Sequence, residues 1–294
     1  MLRSMYSAIS GMQAFQTDLD VVGNNIANVN TVGFKSGRTD FSDIMSQTLS
    51  GGTAAGASTG GVNPQQVGLG VKVADIQNLF SQGADQTTGN PTDLAIQGGG
   101  MFVVTPNTSS TPMQTLLTRA GNFAIDSKGN LTLPDGSIAL GYGTTPPTTG
   151  SAAAPTTVMN INTLATANLP AGVSLSQTPN VQIGQNGSVS VQGTDNQQHI
   201  IGYLGIATVS NYGGLEKVGD SLFQVSGPSG AATYESPGVN GAGTIASGTL
   251  EMSNVDLTKE MTEMIVAQNA FAANSHIIGT DNTILQDVVN MKNS

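Results

Sequence analysis

The sequence offers few side chains that could act as catalysts or metal ligands. It contains two histidines, His199 and His276, which are far apart in the chain, and no cysteine. Thiolate zinc sites and thiol nucleophiles are therefore excluded. The members of a Ser-His-Asp triad are scattered in sequence, so spacing does not exclude one, but no G-x-S-x-G turn accompanies either histidine. We interpret both histidines as surface or interface imidazoles.

Several aspartates lie beside glycine or asparagine, in segments that are typical of turns. The segment Asp126-Ser127-Lys128-Gly129-Asn130 begins like a calcium loop but lacks the further ligands and the closing glutamate. Aspartate in a turn usually bonds its own backbone, and we assign this role to Asp93, Asp126, Asp135 and Asp195. Paired carboxylates for glycoside hydrolysis remain possible by spacing alone. The sequence predicts no catalytic, cofactor or metal site, and hence a protein that is not an enzyme.

Composition excludes several classes of partner. The 294 residues include 9 basic and 19 acidic side chains, a net charge of -10, and charged residues make up 10% of the chain, against about 25% in ordinary soluble proteins. The basic residues are scattered singly, which argues against nucleic acid and against an anionic membrane surface. No apolar run is long enough to span a bilayer, and the opening residues lack the features of a secretory signal. Such a charge-poor surface suggests one that partners cover.

The first 31 residues have the pattern of a long amphipathic helix. Apolar residues recur there at alternating four- and three-residue intervals, which gives a heptad seam typical of a coiled coil. Gly33 is a plausible end for the helix because glycine accepts a left-handed backbone. A helix of about 30 residues is about 45 Å long, too long for one small globule to cover.

The C-terminus repeats this design. Ser253-Asn254-Val255-Asp256 matches a capping box, and it predicts a helix from there to about Lys292. Apolar residues occupy most sides of this helix, so it must be buried on most sides, and one partner helix cannot do that. The pattern therefore indicates contacts with several chains. We expect residues 1–30 and 256–294 to be largely unfolded in an isolated monomer, because one pair of helices cannot bury their apolar faces.

Between the two ends the apolar period changes to two, which predicts short antiparallel strands joined by hairpin turns. The fold class is therefore α+β, with N- and C-terminal helices paired as a coiled coil and joined to a mainly antiparallel β domain. The predicted domains are a helical layer of residues 1–35 with 253–294, a flexible connector at 36–66, the β domain at 67–140 with 181–252, and a low-complexity, uncharged insertion at 141–180.

Both ends resemble one known family. The segment Gly23-Asn24-Asn25-Ile26-Ala27-Asn28-Val29-Asn30-Thr31-Val32-Gly33-Phe34-Lys35 is similar to the N-terminal motif of the bacterial flagellar rod and hook family. Gly248–Thr258 and Met264–Phe271 resemble the other end of that family, and parts of the β region also fit. Asparagine is a poor helix former, so the four asparagines suggest lateral hydrogen bonding as well as helix ending.

The resemblance implies an axial structural subunit of the flagellum. The opening Met1–Ser7 and the stretch Ala267–Ser275 look most like hook members of the family from Gram-positive bacteria, although the chain is short for a hook. The implied function is a hook subunit that polymerises into a flexible joint carrying torque from rod to filament. The distal rod of the basal body is the alternative within the family, and a secreted coiled-coil adhesin is the alternative from another class.

The resemblance also implies partners and a location. The partners would be further copies in a helical polymer, the rod, hook-cap and hook–filament junction proteins, and the flagellar export apparatus, which would carry the chain outside without a cleaved signal. The predicted assembly interface consists of Met5, Met12, Phe15, Leu19, Val22, Asn24, Asn25, Ile26, Asn28, Gly33, Phe34, Leu257, Met264, Gln268, Phe271, Ile278 and Leu285.

Overall fold

The structure is a computed structural model that describes residues 2–54, 56, 60–106, 113–145, 154–170 and 181–292. The elements run in chain order as α1 (Leu2–Ala27), β1 (Gly37–Asp43), β2 (Ser46–Ser50), β3 (Gln65–Gly68), β4 (Val71–Asn78), β5 (Asp85–Thr87), β6 (Leu94–Gln97), β7 (Met101–Thr105), β8 (Leu116–Thr118), β9 (Ala124–Ile125), β10 (Leu131–Thr132), β11 (Ile138–Tyr142), β12 (Thr157–Val158), α2 (Ile161–Asn168), β13 (Val181–Ile183), β14 (Ser188–Gln192), β15 (Gln198–Leu204), β16 (Ile206–Thr208), β17 (Glu216–Gly219), β18 (Leu222–Gln224), β19 (Thr233–Glu235), β20 (Thr244–Ser247), β21 (Thr249–Glu251) and α3 (Leu257–Lys292). The predicted α+β class is confirmed.

The chain divides into two compact units, each assembled from separate stretches of sequence. One unit contains residues 1–27, 37–79 and 256–294, and the other contains residues 28–36 and 80–255. The first therefore holds both long helices, and the second holds most of the strands.

In the first unit, α1 packs against α3 and also against strands β1 and β4. Strands β1 and β4 pair antiparallel, with an irregularity between Asp40 and Phe41. The rings of Phe15 on α1 and Phe41 on β1 lie 5.5 Å apart. A second hairpin, β2 with β3, exposes both of its faces.

In the second unit, the main sheet has the strand order β13-β14-β15-β11-β7-β8-β18-β17. The strand pairs that the structure describes are antiparallel, as the hairpin signals predict. Strand β7 is buried along its whole length, and its Phe102 contacts Phe123 edge to face at 5.4 Å. Strands β7 and β8 lie within residues 67–140, which the sequence assigns to the β domain.

Four details of the sequence prediction are wrong. Helix α1 ends at Ala27 and not near residue 31, because the asparagine-rich residues that follow form turns. The capping box at Ser253 is not formed, and the Asp256 carboxylate caps α3 instead, accepting hydrogen bonds from the backbone of Thr258 and Lys259. The predicted connector at 36–66 contains β1, β2 and the start of β3. Strand β4, placed in the β domain from the sequence, belongs to the unit of the long helices.

The predicted insertion at 141–180 is partly a core element. Residues 146–153 and 171–180 lie outside the described residues. Between them, β12 pairs with β11, and α2 packs against β15. Met159, Ile161 and Leu164 are buried in the apolar core. Low sequence complexity does not prevent this, because the few apolar residues of the segment are spaced to fall on one side.

Candidate assembly interface

Helices α1 and α3 pack antiparallel in one constant register. The Ser4 hydroxyl donates to the Asp281 carboxylate at 2.6 Å, and the Asn25 amide donates to the Glu260 carboxylate at 3.0 Å. Between these contacts, a Cβ added to Gly11 would lie 3.2 Å from the Cγ of Asn274. Each contact is one or two heptads from the last along α1 and the same distance back along α3. The two helices therefore meet along heptad positions over most of the length of α1.

The packed seam differs in part from the predicted one. Among the predicted residues, Val22 and Asn25 are buried, and Met5, Met12, Phe15, Leu19, Ile26, Met264, Ile278 and Leu285 are half-buried. Leu257, Phe271, Gln268 and Asn24 are exposed. The most buried positions of α3 are Glu260, Ala267 and Asp281, which the apolar pattern does not single out. The signal in the sequence that could have found them is their spacing of one and two heptads.

Much of α3 remains apolar and exposed on the single chain. The exposed fractions of these side chains range from 42% at Ile277 to 78% at Met291. The larger ones are Met261, Ile265, Val266, Ile277, Ile284, Val288, Val289 and Met291. Apolar surface of this kind marks an interaction site.

Both the amide nitrogen and the Oδ1 of Asn25 form hydrogen bonds inside its own unit. Its amide donates to the carbonyl of Gly37 at 2.8 Å as well as to Glu260, and its Oδ1 accepts from the backbone of Gly37 at 2.9 Å. The side chain therefore holds α1 against both α3 and the start of β1. In the other unit, the Oδ1 of Asn28 accepts from the Thr31 hydroxyl at 3.0 Å, within the turn.

Two carboxyl groups of the helix pair titrate abnormally. Burial raises the pKa of Glu260, and the neighbouring Glu263 adds to the shift, while the hydrogen bond from Asn25 opposes it. Burial also raises the pKa of Asp18 on α1, again with a contribution from Glu263. Both groups therefore favour the protonated form more than they do in water.

In the β-rich unit, the motif residue Gly33 occupies a position that only glycine fits. Its φ is +67°, and a Cβ there would lie 2.4 Å from the backbone nitrogen of Ala120. Its N–H donates to the carbonyl of Glu251 at 2.8 Å. The segment that follows α1 is therefore joined to β21, the strand that precedes α3. Phe34, also buried, lies with its ring centroid 4.8 Å from the Lys217 Nζ.

The motif residue Lys35 belongs to a buried charge cluster that the sequence did not reveal. Its Nζ lies 2.6 Å from one Glu251 oxygen, and Nη1 of Arg119 lies 3.0 Å from the other. The side chains of Lys35 and Glu251 are completely buried. Glu251 also accepts from the N–H of Gly83 at 3.0 Å. Burial lowers the pKa of Lys35, and the Glu251 carboxylate opposes that shift.

Outside these contacts, the polar groups serve local structure. The Asp126 carboxylate accepts from the backbone of Lys128 and Asn130, as a turn residue does, and these hydrogen bonds lower its pKa. His199 pairs with Asp195 at 2.8 Å on the surface. No group of three or more potential metal ligands occurs among the residues that the structure describes. The exposed apolar side chains of α3 are therefore the feature of the described residues that suggests contact with another chain.

Comparison with known proteins agrees with this interpretation. Three family profiles match: "Flagella basal body rod protein" at residues 5–35, "Flagellar hook protein FlgE/F/G D1 domain" at 95–191, and "Flagellar basal body rod FlgEFG protein C-terminal" at 246–291. The flagellar basal-body rod protein FlgG of Bacillus subtilis is 45% identical over 99% of this chain and 100% of its own length. The chain belongs to the flagellar rod and hook family.

Other relatives come from both branches of this family. The rod protein FlgG of Caulobacter vibrioides is 34% identical over 97% of each chain. The flagellar hook protein FlgE of Treponema pallidum is 27% identical over 99% of this chain and 100% of its own length. Members of the rod and hook family are structural proteins of the flagellum, which self-assemble and associate with other flagellar components. Within the described residues, no helix is both long and apolar enough to cross a membrane.

Proposed function

We propose that this chain is the distal rod subunit of the flagellar basal body, which was the alternative to the hook interpretation. The carrying observation is its similarity to a rod protein over nearly the whole of both chains. The alignment with the Bacillus subtilis rod protein spans 293 residues, and this chain has 294. Identity to the hook protein of Treponema pallidum is lower, at 27% against 45%.

Length supports the same choice. The alignments with the hook proteins of Treponema pallidum and Borreliella burgdorferi extend over 467 and 447 positions, far beyond the 294 residues of this chain. Those hook proteins therefore carry long segments with no counterpart here. The rod protein of Borreliella burgdorferi, from the same bacterium as one of these hooks, aligns over 295 positions at 35% identity.

We further propose that α1 and α3 pair as a coiled coil in the polymer and that α3 supplies the contacts between copies. The heptad register and the exposed apolar faces of α3 support this. Fully burying an Ile, Val or Met side chain contributes about 1.5–3 kcal/mol. Burial of the exposed apolar side chains of α3 against another copy would therefore add substantial free energy of association. Copies of the chain are the expected occupants, because the rod is a polymer.

The other partners follow from the proposed position. A distal rod subunit meets other rod proteins at one end and the hook at the other, and the flagellar export apparatus delivers it. Contacts with hook-cap and hook–filament junction proteins, predicted from the hook resemblance, would belong to the hook alternative.

Deletion of the gene tests the proposal. We expect non-motile cells whose basal bodies, isolated and viewed by electron microscopy, have rods that end short of the hook. Complete rods that lack hooks would instead establish the hook alternative. Intact rods and hooks would refute both. Restoring the wild-type gene is the control, and it should return full-length rods.

A further inference from the structure

The α1–α3 seam contains two parallel columns of different character. On α1, one column is apolar (Ala8, Phe15, Val22) and the other is small or polar (Ser4, Gly11, Asp18, Asn25). On α3, the apolar column is Leu257, Met264, Phe271, Ile278 and Leu285, and the polar column is Glu260, Ala267, Asn274 and Asp281. On α3 the second column is better buried than the apolar one, and it places Glu260 and Asp281 where apolar residues would pack without desolvation of charge.

The apolar columns alone cannot determine the register. They repeat every seven residues, so a slip of one heptad places another large apolar residue of α3 at each position. Met264, Ile278 and Leu285 are all half-buried, large apolar side chains, so a slip of one heptad exchanges one of them for another. A repeat of this kind does not by itself distinguish one register from the next.

The polar columns differ between registers. A slip that brings Asn25 opposite Ala267 removes the Asn25 donor from Glu260, a residue that is 6% exposed. The same slip removes Ser4 from Asp281, which is 8% exposed. The opposite slip brings the Asp18 carboxylate beside that of Glu260. Each slipped register therefore leaves a buried carboxylate unsatisfied or repelled, which is costly.

We propose that the pairs Asn25–Glu260 and Ser4–Asp281 determine the register of α1 against α3. They act as specificity determinants, in the way that a polar residue at a core position fixes register in a coiled coil at some expense of stability. A single register gives every copy the same arrangement of exposed apolar residues on α3. That consequence for assembly rests on the proposed function, whereas the register itself does not.

Disulfide trapping measures the register directly, because the chain has no cysteine of its own. Gly11→Cys with Asn274→Cys reports the observed register and leaves both polar pairs intact. Gly11→Cys with Ala267→Cys and Asp18→Cys with Asn274→Cys report the two slips. One heptad is about 10 Å along a helix, beyond the roughly 7 Å between Cα atoms that a disulfide spans.

Each cysteine pair is placed in the full-length chain, which is assembled into polymer with an excess of cysteine-free chain before oxidation, so that the ends are folded and disulfides form within one molecule. In the wild-type background we expect the in-register disulfide to exceed either slipped one about tenfold. With Asn25→Leu and Glu260→Leu together, we expect this ratio to fall toward one. Glu260→Gln, which still accepts from Asn25, should retain the ratio, and Gln268→Leu on the exposed side is the matched control.

The ratio of disulfides is the readout, and it is taken in the polymer because we expect the ends of the free monomer to be largely unfolded. An unchanged ratio in the double leucine variant would show that the rest of the chain sets the register, and the proposal would be wrong. A ratio near one in the wild type would overturn it as well. Neither result would alter the outcome of the gene deletion, so the register and the proposed function fail separately.

Discussion

Replacing Glu251 with glutamine tests the most deeply buried charges of the molecule. The side chain keeps its size, so no cavity forms, but the carboxylate that contacts both Lys35 and Arg119 loses its charge. Lys35 retains the carbonyl of Ser81 at 2.7 Å, and Arg119 retains that of Ile96 at 3.0 Å. Both cations therefore keep a hydrogen bond but have no counter-charge.

The expected loss is large because water does not screen these groups. Breaking a buried ion pair by removing one partner costs about 3–5 kcal/mol. In a unit of this size, each kcal/mol lowers the melting temperature by about 2–4 °C, so Glu251→Gln should lower it by roughly 6–20 °C. Lys35→Met should cost less, since Glu251 then keeps Arg119.

Urea and thermal unfolding of the full-length chain, followed by circular dichroism in the β region, measure these losses. Glu216→Gln on the exposed strand β17 is the matched control, and it should change the free energy of unfolding by no more than about 0.5 kcal/mol. A loss below about 1 kcal/mol for Glu251→Gln would refute the assignment of the cluster as a stabilising centre.

Three further predictions concern the two long helices and the segment that follows α1. Because burial raises the pKa of Asp18 and Glu260, the paired helices bind more protons than the separated ones, and helicity should rise as the pH falls from 7 toward the ordinary carboxyl values of 3.8 and 4.5. Asp18→Asn with Glu260→Gln should flatten that dependence, and helicity that falls over this range contradicts it. In urea unfolding, Gly33→Ala should destabilise the β-rich unit by more than Gly136→Ala. Both glycines have positive φ, but a Cβ would clash with neighbouring backbone at Gly33 and would meet open space at Gly136. Equal losses would show that the effect comes from φ alone. In the monomer, heteronuclear NMR should show residues 1–30 and 256–294 largely unfolded, and rigid, exchange-protected ends would disprove that.

Local patterns were sufficient for the helices, for many strands and for the turns. The seven-residue repeat of α1 and α3 and the two-residue alternation of β14 follow directly from backbone geometry, so they are visible in the sequence. Asp126 and its neighbours were correctly assigned to a turn, because an Asx hydrogen bond spans only a few residues. The family was also evident from the asparagine-rich motif and its C-terminal counterpart.

Long-range partners were not predictable in this way. Lys35 and Glu251 are 216 positions apart, and no repeat or spacing relates them. The segment at 154–170 resembled a loose insertion, because composition does not record which few side chains reach the core. In α3, the apolar count predicted an apolar seam, although Glu260 and Asp281 are the residues buried there.

The sequence by itself determined the elements and the family, because periodicity and short motifs are local properties of a chain. Only the tertiary structure decided which face of each long helix turns inward. On an isolated helix, two columns of residues with the same seven-residue spacing are equally able to face inward. The hydrogen bonds Asn25–Glu260 and Ser4–Asp281 distinguish the two columns. A polar group is buried there because a partner at the other end of the chain satisfies its hydrogen bonds.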